Sequence, residues 1–156
     1  MKAPFDFVIE PKGNRYNNVT KVGDKDLIIN TEIYNHQFVN REAIVKSVPT
    51  AFETEIKPND TIIVHHNVFR RWHDMKGRER NSRSFFNENT YLVKQDQIFL
   101  YKRYWEWKAV KGYCFVKPIK QRNKLKPGEE EKCIGIVEYT DGTNKVGELI
   151  GFTPFS

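Results

Sequence analysis

The sequence predicts an all-β protein, and three observations carry that prediction. Its apolar residues come in short β-branched and aromatic runs, turn-forming residues separate the runs, and no window of about 12 residues or more repeats its apolar side chains at the helical period. Such runs bury one face of a strand at a time and demand a partner sheet or a barrel to close over them.

Taken along the chain, the first run is Phe5 to Ile9, which stops at the turn Pro11-Lys-Gly13. A polar stretch follows, and inside it stand three consecutive aliphatics, Leu27, Ile28 and Ile29, in a segment (near 12–31) that otherwise reads as a mobile loop. Runs at Ala43 to Val48, Thr61 to Val64, Tyr91 to Val93 and Ile98 to Tyr101 come next. They are separated by Val48-Pro49, Lys57-Pro-Asn-Asp60 and Asn87-Glu-Asn89. In the second of these turns Pro58 fixes its own φ, and Asn59 is the best non-glycine residue for a left-handed position. Asp96 is placed to cap the short turn before Ile98.

After Arg103 the composition changes. The aromatic patch Tyr104-Trp-Glu-Trp107 opens a second set of strand signals, Gly112 to Ile119, Cys133 to Tyr139 and Val146 to Phe152, with Asp141-Gly142 as a hairpin signal between the last two. The chain therefore divides into a first strand-rich part, barrel or sandwich, over residues 1–103 and a strand-rich extension over 104–156. Tyr113-Cys-Phe-Val-Lys-Pro118 echoes Phe5-Asp-Phe-Val-Ile-Glu-Pro11, and Gly147-Glu-Leu-Ile-Gly-Phe-Thr-Pro154 loosely echoes Arg41-Glu-Ala-Ile-Val-Lys-Ser-Val-Pro49, so the extension reads as a partial second repeat.

Composition narrows the function classes. The chain has 156 residues, 38% of them hydrophobic, enough for one ordinary domain or a small domain with an appendage. No apolar run approaches the roughly 18 residues that span a bilayer, and the N-terminus has no apolar signal core, so a cytoplasmic location without membrane contact is expected. Two cysteines, Cys114 and Cys133, lack the spacing of a zinc site or a disulfide scaffold. His65, His66 and His73 are close in sequence, but neighbours on a strand point to opposite faces, so no metal or other cofactor is expected. No catalytic motif is present, and an enzyme is not expected.

The formal charge is +6, with 26 basic residues mixed among 20 acidic ones. The densest basic stretch is a loop over residues 69–86, carrying Arg70, Arg71, Trp72, Lys76, Arg78, Arg80 and Arg83 beside Phe69, Phe85 and Phe86. Cations contact phosphates and rings stack on bases, so this stretch is a candidate contact for nucleic acid or another partner. A solvated loop whose aromatics belong to the barrel explains the same residues.

The order of the elements over about residues 1–103 resembles the GroES-like co-chaperonins, the lid proteins of chaperonins, in their divergent tailed-phage form. The resemblance rests on Phe5-Asp-Phe-Val-Ile-Glu-Pro11, the polar loop with Asp26-Leu-Ile-Ile-Asn30, and the strand Glu42-Ala-Ile-Val45. It continues through Ile56-Lys-Pro-Asn-Asp-Thr-Ile-Ile-Val64, similar to the family's VKxGDxVxF element, and Tyr91-Leu-Val-Lys-Gln-Asp-Gln-Ile-Phe-Leu-Tyr101, similar to its closing strand. Asp26 stands where the family usually has glycine, with Gly23 nearby.

The resemblance implies a GroES-like closed β-barrel and a seven-membered homo-oligomeric ring. It also implies an ATP-dependent partnership with the chaperonin large subunit, in which Leu27, Ile28 and Ile29 fill an apolar groove. The function it implies is that of a chaperone in protein folding, a lid over the folding chamber for a bulky substrate such as a bacteriophage capsid protein, acting in the host cytoplasm. A virion structural β-barrel, from a capsid or tail, is the second reading of the same elements, and a barrel that binds single-stranded nucleic acid through residues 69–86 is the third.

Overall fold

The computed structural model describes residues 1–33, 35–120 and 130–153, and the protein is all-β with antiparallel sheets throughout. The chain forms two compact units, Met1–Tyr104 and Trp105–Ser156, a division one residue later than the change of composition suggests. Among the described residues no helix is long and apolar enough to cross a membrane.

The first unit is built on strands β1 (Phe7–Pro11), β2 (Val19–Val22), β3 (Lys25–Ile28), β4 (Glu42–Ser47) and β5 (Thr61–Val64). It continues with β6 (Arg71–His73), β7 (Glu79–Asn81), β8 (Phe85–Asn87), β9 (Thr90–Val93) and β10 (Ile98–Arg103). Its main sheet runs β10-β5-β4-β1-β9-β8, so the first strand sits between β4 and the much later β9. β2–β3 and β6–β7 are separate two-stranded ribbons.

Sidedness follows from the period of two. Ala43 and Val45 on β4, Ile62 and Val64 on β5, and Tyr91 and Val93 on β9 are all fully buried, while the residues between them are not. Phe7, Ile9, Ile98 and Phe69 complete this core, with Phe69 edge-on to Tyr91 at 4.8 Å between ring centroids.

The turn before β5 takes the form its sequence predicts. Asn59 adopts φ 72°, the left-handed region, and its N–H donates to Val45 O at 2.7 Å. Asp60, buried beside it, accepts from Lys57 N at 2.8 Å and pairs with Arg103 at 2.9 Å, tying the turn to the end of β10. This partnership raises the Arg103 pKa. Before β10 the side-chain oxygen of Gln97 accepts from Lys94 N–H at 3.4 Å.

Two buried polar residues set where the ribbons leave the unit. Asn40 donates to Lys12 O and Asn14 O and accepts from Glu42 N, which shapes residues 12–14 against β4. Tyr16 pairs across an isolated bridge with Val39. Its hydroxyl donates to Ile33 O at 2.9 Å, beyond the end of β3, and accepts from Arg71 N at 2.8 Å, at the start of β6. One hydroxyl thus ties the segment that follows β3 to the start of β6.

The second unit contains β11 (Glu106–Ala109), β12 (Cys114–Lys120), β13 (Glu130–Thr140) and β14 (Leu149–Gly151). β13 lies between β12 and β14 in one sheet. Gly135 permits that pairing: a Cβ there would sit 2.9 Å from Val116 Cβ and 3.0 Å from Lys117 O. Asp141-Gly142 does not make a two-residue hairpin. The connection covers residues 141–148, and Asp141 is held by N–H donors from Thr143 and Gly112, each at 2.9 Å. Bonding by Thr143 first, and then by Gly112, pulls the Asp141 carboxyl down to about 2.

The expected partial repeat is also corrected. β1 and β4 are direct neighbours, whereas β12 and β14, where the echoes fall, both flank β13 and do not pair with each other. The same apolar-turn vocabulary therefore serves two different pairings. Pro154, the last residue of the second echo, lies outside the described residues.

Tyr16→Phe deletes one donor and one acceptor at part-buried positions, leaving Ile33 O and Arg71 N–H unpaired. The expected cost is about 1–3 kcal/mol by chemical denaturation. Hydrogen exchange is expected to accelerate in β2–β3 and β6–β7 together while β4 and β5 stay protected; acceleration in one ribbon only would contradict the shared anchor.

Candidate functional site

Residues 12–31 are not an irregular loop throughout. β2 and β3 form a regular antiparallel ribbon, with Val19 opposite Ile28, Thr20 opposite Leu27, Lys21 opposite Asp26 and Val22 opposite Lys25. Gly23 makes the two-residue turn possible by taking φ 63°. Asp26 is thus a ladder residue, paired with Lys21. The ribbon is closed at its base by Ile29 N–H to Asn18 O and by Asn18 Nδ2 to Asn30 O, both at 2.9 Å.

The aliphatic triplet projects into solvent. Leu27, Ile28 and Ile29 are 55%, 60% and 49% exposed. Cross-strand pairing puts Leu27 with Thr20, Val22 and Lys25 on one face, and Ile28 with Val19, Lys21 and Asp26 on the other. Val19 and Val22 are exposed as well and extend the apolar surface on each face. Sequence reading missed these two valines; the signal was their position opposite the triplet across a glycine turn. Together with Val19 and Val22 the triplet forms an exposed apolar surface on a ribbon that satisfies its own backbone.

The stretch 69–86 likewise carries regular structure, and this divides its cations. Arg71 faces one side of the β6–β7 ribbon, pairs with Glu79 at 3.0 Å and lies 5.0 Å over the Tyr16 ring. Arg78 and Arg80 both pair with Asp74, at 3.2 and 3.1 Å. Those bonds, led by the N–H of Arg78, hold the Asp74 carboxyl below its ordinary range. Lys76 sits in the turn, where its backbone N–H also reaches Asp74. Arg70, Trp72 and Arg83 instead line one open cavity of about 540 Å³. Phe69 belongs to the core, and Phe85 is edge-on to Tyr91, with Arg15 5.3 Å over the Phe85 ring. The aromatics at the ends of the stretch therefore serve mainly in packing, except for Phe86, which is exposed.

The histidines adopt an arrangement their sequence positions do not suggest. β5 ends at Val64, and His65 caps a short 3-10 turn, its Nδ1 accepting from Asn67 N. The chain bends there, so the rings of His65 and His66 meet at 4.2 Å instead of pointing to opposite faces. His36 lies 5.3 Å from His66 on the other side. Among the described residues no group of three or more His, Cys, Asp or Glu side chains is placed to hold a metal ion. Cys114 and Cys133 are free thiols.

Compared with protein-family models, curated proteins and solved structures, the chain matches none of them.

Burial, and then the charges of His65, Arg41, His36 and Arg70, push His66 down to about 4. The unfolded chain protonates this histidine near its ordinary value of about 6.5, so folding is disfavoured progressively as pH falls from there to about 4. Thermal melts are expected to lose stability across that interval, and His66→Gln to flatten the loss; an equal slope in the variant would contradict this assignment.

Proposed function

We propose that this protein is a co-chaperonin-like lid that docks on a chaperonin through the β2–β3 ribbon. The observation that carries the reading is the exposure of Leu27, Ile28 and Ile29 on a ribbon whose backbone is satisfied by its own ladder. Such an element needs no partner to keep its hydrogen bonds and still presents apolar side chains that gain from burial. Each of the three contributes about 1.5–3 kcal/mol when buried, before the cost of fixing the ribbon in a groove. That balance makes a single contact weak and reversible.

A ring repairs the weakness. Several ribbons engaging one chaperonin ring raise the effective concentration of each contact, so a homo-oligomeric ring, seven-membered by the family resemblance, converts a modest interaction into a firm cap. In this reading the first unit closes into a GroES-like barrel. The sheet centred on β1 and the left-handed Asn59 turn before β5 support it, because both match the order of the elements that carry the resemblance. The protein performs no bond chemistry; it caps a chamber in which a large substrate, such as a phage capsid protein, folds while the chaperonin hydrolyses ATP.

Binding to a bacterial chaperonin, measured by interferometry with and without ATP, tests the proposal. Nucleotide-dependent binding is expected, reduced about tenfold or more by Leu27→Ser, Ile28→Ser, Ile29→Ser together, a change of at least about 1.4 kcal/mol. The exposed positions leave the fold intact, which a thermal melt verifies. Undiminished binding by the triple variant, or a wild type that stays monomeric and does not bind at micromolar concentration, would contradict the lid.

A further inference from the structure

The β6–β7 ribbon separates its cations into two sets. Arg71, Arg78 and Arg80 each have a carboxylate partner within 3.2 Å. Arg70 and Arg83 have no carboxylate partner among the described residues, and both line the same cavity with Trp72. A segment that supplies acids to its other arginines leaves two guanidinium groups uncompensated around one hollow. Arg70 is also partly buried, with its Nε enclosed and without a hydrogen-bond partner among the described residues. A cation kept in such a place favours an anion that can share its desolvated surroundings.

The rest of the lining adds a second chemistry. Trp72 is 38% exposed and offers an indole face. Ser82 Oγ donates to Val68 O, which leaves its lone pairs free to accept. Gln97 gives its side-chain oxygen to Lys94 N–H, which leaves its amide N–H groups as donors. A volume of about 540 Å³ falls within the roughly 300–1,000 Å³ of small-ligand sites. Two guanidiniums without a carboxylate partner among the described residues, an aromatic side chain, and separate donors and acceptors suit a ligand that carries both a phosphate and a planar base.

We propose that this cavity binds a nucleoside phosphate, with Arg70 and Arg83 receiving the phosphate and Trp72 the base. The ligand is either a free nucleotide or one unit of a single strand, since both present the same groups. This proposal rests on the cavity alone and stands or falls independently of the docking ribbon.

The test has two arms on the full chain. AMP and ATP are titrated by calorimetry, and fluorescein-labelled dT10 and rU10 are titrated by anisotropy, with inorganic phosphate as the control. Saturable binding in at least one arm is expected; a response only to mononucleotides identifies a free nucleotide, and a much tighter response to the oligomers identifies a strand. Arg70→Gln with Arg83→Gln is expected to weaken binding about tenfold or more, and Trp72→Leu to weaken it several-fold. Lys76→Gln with Arg78→Gln, outside the cavity, should change it less than about twofold. For the oligomers, the slope of log K against log salt should be near about −1.4 for two phosphate contacts and should shrink in the Arg70, Arg83 variant. No binding in either arm, or equal weakening by the two double variants in proteins that melt like the wild type, would overturn the proposal.

Discussion

The hydroxyl of Tyr16 links the segments that lead to both ribbons of the first unit. It donates to Ile33 O and accepts from Arg71 N, while its ring carries Arg71 at 5.0 Å. The β2–β3 ribbon has no buried side chain of its own, and β6–β7 has almost none, so neither gains its position from hydrophobic packing. A two-stranded ribbon is marginal by itself in water. Fixing both bases at one residue lets the distal parts stay exposed while their direction is set by the core, through Val39 opposite Tyr16 and Asn40 beside it.

Electrostatics completes the division of labour between the ribbons. The β2–β3 ribbon is exposed along its whole length and mixes the apolar Val19, Val22, Leu27 and Ile28 with Lys21 and Asp26, which stand opposite each other. The second ribbon is cationic, and its shape comes from acids placed on selected arginines: Asp74 organises the turn and Glu79 fixes Arg71. Charge spent in this way supports the ribbon's conformation and contributes little to stability at exposed sites. Arg70 and Arg83 are left over, and they are the ones that share a cavity with Trp72. The same +6 chain thus carries one ribbon with exposed aliphatics and one rich in arginine, and a sum over residues cannot distinguish them.

What was legible in the sequence is what backbone chemistry dictates. Alternating burial located β4, β5, β9 and β10, and the need for a left-handed residue located the Asn59 turn, because these depend on neighbours within a few positions. β2, β6, β7 and β8 were missed because they are three or four residues long, lie within stretches rich in polar and charged residues, and are stabilised by ladder bonds that any sequence can make. The split among the arginines was illegible for a different reason: whether Arg71 or Arg70 meets an acid depends on the register of a ribbon not visible in composition. The adjacent histidines failed similarly, since the strand ends one residue before them. The apparent repeat shows the converse, similar apolar strings placed in unlike pairings.

In the proposed lid, the β2–β3 ribbon bearing Leu27, Ile28 and Ile29 meets the chaperonin directly. Photocrosslinking tests it: benzoylphenylalanine is placed at position 28 in one sample and at position 76, in the turn of the other ribbon, in a second, and each is irradiated with chaperonin in the presence and absence of ATP. A crosslink to the large subunit from position 28 that requires nucleotide is expected, and none from position 76. Crosslinks from position 76 alone, or none from position 28 under any condition, would contradict it.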